Sequence, residues 1–141
     1  MLRISDAASL GLHAMALLAG AGERGQASVG RLAERLGVSA HHLAKVMQRL
    51  SKSGLVRSRR GPRGGFALGR APSSIRLIEV FEAIEGPFPA SCCMLDTPVC
   101  QGGRCLLGGL LASVQQQFHR HLDQTRLSDL EPGFKPGWGA E

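Results

Sequence analysis

No stretch of the 141-residue chain approaches the run of about 20 apolar residues that a membrane-spanning helix requires. Also missing are a P-loop, a dinucleotide fingerprint and a pair of carboxylates placed for acid–base work, which makes an enzyme the reading with least support. Acid is nearly absent where base is densest. Residues 30–70 hold ten Lys or Arg against Glu34 alone, a segment charge of +9, whereas the remainder carries −3. A merely solvated surface does not sort its charge in this way, and double-stranded nucleic acid is the natural partner. An isoelectric point near 9.9 agrees. A dedicated electron carrier would have no use for such a segment. The four cysteines lack the paired C-x2-C spacing of a zinc ribbon. In a reducing compartment they point to metal or redox chemistry before disulfides.

What is present is organised around residues 28–66. Val29, Leu32, Ala33 and Leu36 recur at i, i+3, i+4 and i+7, which places one apolar stripe on a short helix. Gly37-Val38 breaks that period, and Ser39 is a natural cap for a second helix in which Leu43, Val46, Met47 and Leu50 repeat the spacing. Gly54 is expected to close it. Leu55-Val56-Arg57 and Phe66-Ala67-Leu68 can then pair as a hairpin around the intervening Arg-, Pro- and Gly-rich turn. Two short helices with a Gly-containing turn, followed by such a hairpin, describe a winged helix-turn-helix.

In that arrangement the second helix enters the major groove with its N-terminal residues on base edges. The candidates there are Ser39, Ala40, His41, His42 and Lys45. Arg31 and Arg35 on the first helix, and Arg49 and Lys52 at the far end of the second, are expected on phosphates. Arg59, Arg60 and Arg63 sit at the base and tip of the wing, and arginine suits a narrow minor groove. His41 and His42 point in different directions on a helix, so DNA contact is preferred to metal ligation.

The flanks complete the expectation of a mainly α fold, a two-stranded wing and a long C-terminal dimerisation helix. The start has Arg3, an apolar run and small residues near Ala19 to Gly22, as a signal peptide would. Asp6 and His13 interrupt it, and it is read as a first helix over 5–20, apolar nearly all round and buried partly against a second subunit. A cytoplasmic protein is expected, with no membrane partner. Residues 21–27 read as a turn. Ser73 or Ser74 can cap a helix from Ile75 to Glu85, which Gly86-Pro87 stops. A last helix from Arg104 to about Thr125 carries Leu107, Leu111, Val114, Phe118 and Leu122 as a seam for a symmetry mate, predicting a homodimer. On this helix His119 and His121 are expected in solvent, whereas His13 on the first helix is expected in the core. The domain boundaries are 1–72 for DNA binding, 73–125 for the connecting helix, cysteine loop and dimerisation helix, and 126–141 for a flexible tail that holds Trp138.

Cys92, Cys93, Cys100 and Cys105 fall within fourteen residues, among glycines and between two helices. The x6 and x4 spacings are not close to the common ferredoxin patterns. Spacing alone leaves an iron–sulfur cluster, zinc and free redox thiols open.

The first helix, the run LAERLGVS, the wing RGPRGGF followed by LGRAPSSI, the helix EVFEAIEGP and the cysteine loop before a long helix together resemble the IscR/NsrR-type winged-helix regulators, over about residues 2–125. That resemblance implies a homodimeric repressor or activator whose operator affinity responds to an iron–sulfur cluster, [2Fe-2S] or [4Fe-4S]. It implies Cys93, Cys100 and Cys105 as ligands, with Cys92 a possible substitute for Cys93, and Arg60 in the minor groove. It also implies base reading from Ala40-His41-His42. The family's assembly regulators carry a histidine three residues after the last cysteine, where this chain has Gly108. The fourth ligand therefore stays open among Cys92, Asp6, Ser9, His13, a small molecule or none.

Overall fold

The structure is a computed structural model, and it describes residues 3–21, 25–62, 64–90, 93–100 and 103–130. Its first three helices begin where serines stand. Ser5, Ser28 and Ser39 each accept a hydrogen bond from a backbone N–H three residues on, opening α1 (Asp6–Gly20), α2 (Val29–Leu36) and α3 (Ala40–Lys52). Gly37 and Gly54, at φ 67° and 73°, end α2 and α3 in the left-handed region that glycine enters without steric cost. In both places the next amide reaches back five residues, Val38 N–H to Ala33 O and Leu55 N–H to Leu50 O, each at 3.0 Å. Ser53 is the last residue of α3's frame, and Gly54 lies one beyond it.

The wing is three-stranded, not two-stranded. β2 (Val56–Arg59) and β3 (Gly65–Leu68) pair antiparallel as expected, and β1 (Gln26–Ala27) adds to the far side of β3 in the order β1-β3-β2. Part of the segment read as a turn is therefore strand: Gln26 faces Ala67 and Ala27 faces Phe66. Gly65 makes room for this, because a Cβ there would lie 2.5 Å from the Ala27 carbonyl oxygen.

Behind the wing, α1 lies across α4 (Leu77–Glu85) and α3. Met15, Leu18, Leu43, Met47, Leu50, Val80 and Phe81 form the centre of one core. Ala14 to Ala19 of α1 are buried within the chain, whereas Ala7, Leu10 and Leu12 are only partly buried. His13 corrects the expectation of a core histidine: it is exposed, and its Nδ1 lies 2.7 Å from the Ser9 carbonyl oxygen one turn back.

Ser73 and Ser74 do not cap α4. Pro72–Ser74 form a 3-10 turn in which the Ser74 hydroxyl donates to Ala71 O at 2.8 Å, and α4 starts after Arg76. The Glu79 carboxylate takes over the cap by accepting the Arg76 backbone N–H at 2.9 Å. Its other oxygen pairs with Arg70 at 2.7 Å. Partial burial pushes the Glu79 carboxyl up, but the Arg76 amide and the Arg70 and Arg76 guanidinium groups outweigh it and hold the pKa below its ordinary 4.5. A carboxylate stabilised in the folded state contributes above its unfolded pKa and stops contributing as pH falls through the folded one. Glu79→Gln should therefore cost about 0.5–1 kcal/mol at neutral pH, discounted for solvent screening. The gap between the two unfolding curves should close as pH is lowered below 4.5. A gap that persists at low pH would show that the carboxylate charge is not its source.

The last helix, α5 (Leu110–Gln124), is shorter than expected. Gly108, at φ 57°, and Gly109 interrupt the run from Arg104, so residues 106–109 are turns. Beyond α5, residues 126–130 are not a loose tail. Leu127 is fully buried, and the Arg76–Arg126 bridge is flanked by Leu77 N–H to Thr125 O at 2.9 Å and Leu127 N–H to Ile75 O at 3.0 Å. Residues 131–141, with Trp138, lie outside the described residues.

Candidate nucleic-acid interface and cysteine loop

One helical turn takes 3.6 residues, so His41, His42, Lys45, Gln48, Arg49 and Lys52 project within an arc of about 120° on α3. All six are exposed, while Leu43, Val46, Met47 and Leu50 bury the opposite side. Ser39 and Ala40 are exposed at the helix start, where the Ser39 hydroxyl oxygen accepts the His42 amide at 3.3 Å. The positive end of α3 adds to the charge there. Arg31 and Arg35 are exposed on α2.

On the wing, Arg57, Arg59 and Arg60 are exposed, with Arg57 and Arg59 on one face of β2 two residues apart. The turn is closed by Gly64 N–H to Gly61 O at 2.8 Å. A Cβ on Gly64 would come within 2.6 Å of the Arg59 carbonyl oxygen, so backbone fills the place of a side chain. Arg63 lies outside the described residues. Two exposed residues were not singled out from the sequence. Gln48 stands between Lys45 and Lys52 on the α3 face, and Arg57 precedes the expected wing arginines. Helical spacing from His41 would have found the first, and strand alternation from Arg59 the second.

Arg49, exposed on the same face of α3, is also engaged within the chain. Its guanidinium Nη1 donates to the Ile84 carbonyl oxygen in the last turn of α4, at 3.1 Å. That oxygen lies at a helix C-terminus, where backbone acceptors have no partner within the helix and a cation is favoured.

The loop between α4 and α5 begins as a packed structure. Phe88 stacks on Phe118 of α5 at 6.1 Å and meets Phe81 of α4 at 5.7 Å, and Phe81 meets Phe118 edge-on at 5.7 Å. His119, exposed as expected, also touches Phe88 edge-on at 4.8 Å. Gln115 Nε2 donates to Pro89 O at 2.6 Å, which ties the loop to α5 a second time. Past this point the chain is largely exposed. Cys93 is half-buried, and its sulfur accepts the Leu95 amide at 3.4 Å. Cys100 and Cys105 are exposed free thiols, and Cys92 lies outside the described residues.

Three soft thiols on a glycine-containing loop suit an iron–sulfur cluster or zinc in kind. Among the described residues, no three His, Cys, Asp or Glu side chains are grouped to hold a metal ion. The expected ligand set is thus present as residue types and is not brought together.

One flank of α5 is apolar and uncovered. Leu110 is 58% and Val114 48% exposed, and Leu106, just before the helix, is 88% exposed. Leu122 and the partly buried Phe118 pack inward on the core. Among the described residues, no helix is long and apolar enough to cross a membrane.

This architecture and its charged face have clear counterparts. The HTH-type transcriptional regulator IscR of Klebsiella pneumoniae is 33% identical over 130 residues, covering 92% of this chain and 79% of that protein. Among solved structures, CymR (YrzC), the global cysteine regulator of B. subtilis, superposes with a TM-score of 0.76 at 30% identity, covering 94% of this chain and 98% of that one. T. potens IscR gives 0.70 at 27% identity, covering 99% and 94%. The relatives are transcriptional regulators, and no enzymatic family is indicated. Residues 4–132 match the Rrf2 family, described as iron-dependent transcriptional regulators, and the chain belongs to that family.

Proposed function

We propose that this DNA-binding regulator works as a homodimer whose operator affinity is set by an iron–sulfur cluster on Cys93, Cys100 and Cys105. The observation that carries the reading is the donor set, three soft thiols within one loop. They occupy one exposed loop whose entry is packed between α4 and α5 and whose preceding helix rests on α3. The iron-dependence in the family's description supports the choice of iron. Bound there, a cluster would supply a redox-active link among three points of the loop. The side chains proposed to meet DNA are Arg31, Ser39, Ala40, His41, His42, Lys45, Arg59, Arg60 and Arg63, joined by Gln48, whose amide suits an adenine edge. Dimerisation is assigned to the exposed apolar face of Leu106, Leu110 and Val114, which in a second copy finds a self-complementary partner.

A second reading has support of its own. The thiols stand apart, with Cys100 and Cys105 exposed, and the chain is similar to a global cysteine regulator. A thiol switch needs no prior gathering of three ligands, only access.

Protein purified without oxygen separates the two. The cluster reading expects sulfide-to-iron absorption that each of Cys93→Ala, Cys100→Ala and Cys105→Ala abolishes. It also expects a change in operator affinity of about 5–150-fold, the usual range of such coupling. A colourless dimer whose binding responds to peroxide supports the thiol switch. If all three substitutions leave spectrum, peroxide response and affinity untouched, both sensor readings fall.

A further inference from the structure

The last turn of α4 is held from two sides before the chain enters the cysteine loop. Arg49 of α3 donates to Ile84 O at 3.1 Å. The Ser5 hydroxyl, at the start of α1, hydrogen-bonds the Glu85 carboxylate. On the loop side, Phe88 lies against Phe81 and Phe118, and Pro89 O is held by Gln115. Cys93 follows Pro89 by four residues. A run of contacts therefore leads from Pro89 and Phe88, four and five residues before the first thiol, through the end of α4 to a side chain on the exposed face of α3.

We infer that Arg49 is a positioning residue that couples the state of the cysteine loop to the orientation of α3, and not a phosphate contact. This rests on the proposed control of DNA binding by the loop. The guanidinium is already engaged by a helix-end carbonyl, which a backbone acceptor offers in one direction only. A shift of Phe88 and Pro89 moves that carbonyl, and α3 either follows or loses the bond. The coupling thus runs through a bond with two alternatives, made or broken, as a transmitted signal requires. Lys45 and Lys52 share the face, and no hydrogen bond or ion pair to α4 is seen for either among the described residues.

The test is a double-mutant cycle on the full-length protein. Operator affinity is measured for the wild type, for a triple Cys93→Ala, Cys100→Ala, Cys105→Ala variant, and for Arg49→Ala in each background. Lys45→Ala serves as the control. The affinity ratio between intact and cysteine-free protein should collapse towards one when Arg49 is Ala, and should survive Lys45→Ala. The salt slope of binding should be unchanged by Arg49→Ala, whereas a lost phosphate contact lowers it by about one per protomer. Arg49→Lys, which keeps the charge but loses the planar fork, should also shrink the ratio, so a poorly folded alanine variant does not end the test. Hydrogen exchange at Gly86 and Phe88 should quicken in both Arg49 variants.

If the wild type and the cysteine-free protein bind alike, control by the loop is wrong and the coupling falls with it. If they differ and Arg49→Ala leaves their ratio intact, or lowers the salt slope, only the positioning role is overturned.

Discussion

Between 50 and 200 mM salt, affinity for a duplex operator is expected to fall by about 10³–10⁵-fold, the loss typical of six to ten phosphate contacts. The count follows from the surface. Arg31, Arg35, Lys52 and Arg57 are exposed on α2, α3 and the wing, and two-fold pairing doubles four contacts to about eight. Each neutralised phosphate releases counterions, so the slope of log affinity against log salt should approach about −7. Arg31→Ala with Lys52→Ala should reduce that slope by about one for every phosphate given up, on specific and random sequence alike. Measured by fluorescence anisotropy across a salt series, a shallow slope of about −2 would mean that the basic surface does not lie along the backbone.

The second large effect is structural. Phe81 is almost wholly buried and joins α4 to both Phe88 and Phe118. Phe81→Ala should cost about 3–5 kcal/mol through lost transfer energy and the cavity left behind. That is a large part of the 5–15 kcal/mol typical of a domain's stability, and it should lower the midpoint of thermal unfolding by about 10 °C. Because Phe88 loses one of its three ring contacts, the loop entry should also loosen, visible as faster proteolysis after Pro89. Equal unfolding midpoints for the variant and the wild type would show that the aromatic cluster is peripheral to stability.

The helix-turn-helix was readable because its signals are local and agree with one another. Apolar spacing, serine at the start and glycine just past the end mark both α2 and α3. The third strand was not readable. Gln26-Ala27 has no period of its own and becomes strand only because β3 offers an edge and Gly65 admits the Ala27 carbonyl. α5 was overextended at its start because Leu107 fits the heptad, while Gly108 and Gly109 stop the helix regardless. His13 was misplaced for a related reason. Its neighbours are apolar, but a helix that buries most of its circumference still leaves a strip to solvent. The cysteines were legible as chemistry and not as geometry, since a loop of glycines and prolines carries no period that would fix where its thiols go. Arg49 looked like a phosphate ligand from charge alone. Its partner is a backbone oxygen 35 residues away, which no pattern of side chains records.

The short pairing of residues 75–77 with 125–127 has an engineering corollary. It staples the two ends of the α4–α5 excursion, reinforced by Arg76 to Asp123 at 2.6 Å, so the segment from Gly86 to Gly109 leaves and rejoins the body at fixed points. Lengthening such an excursion costs little, because closure entropy grows only with the logarithm of its size. An insertion past Pro89, beyond the ring contacts of Phe88, should therefore be tolerated while the helices beneath keep their shape.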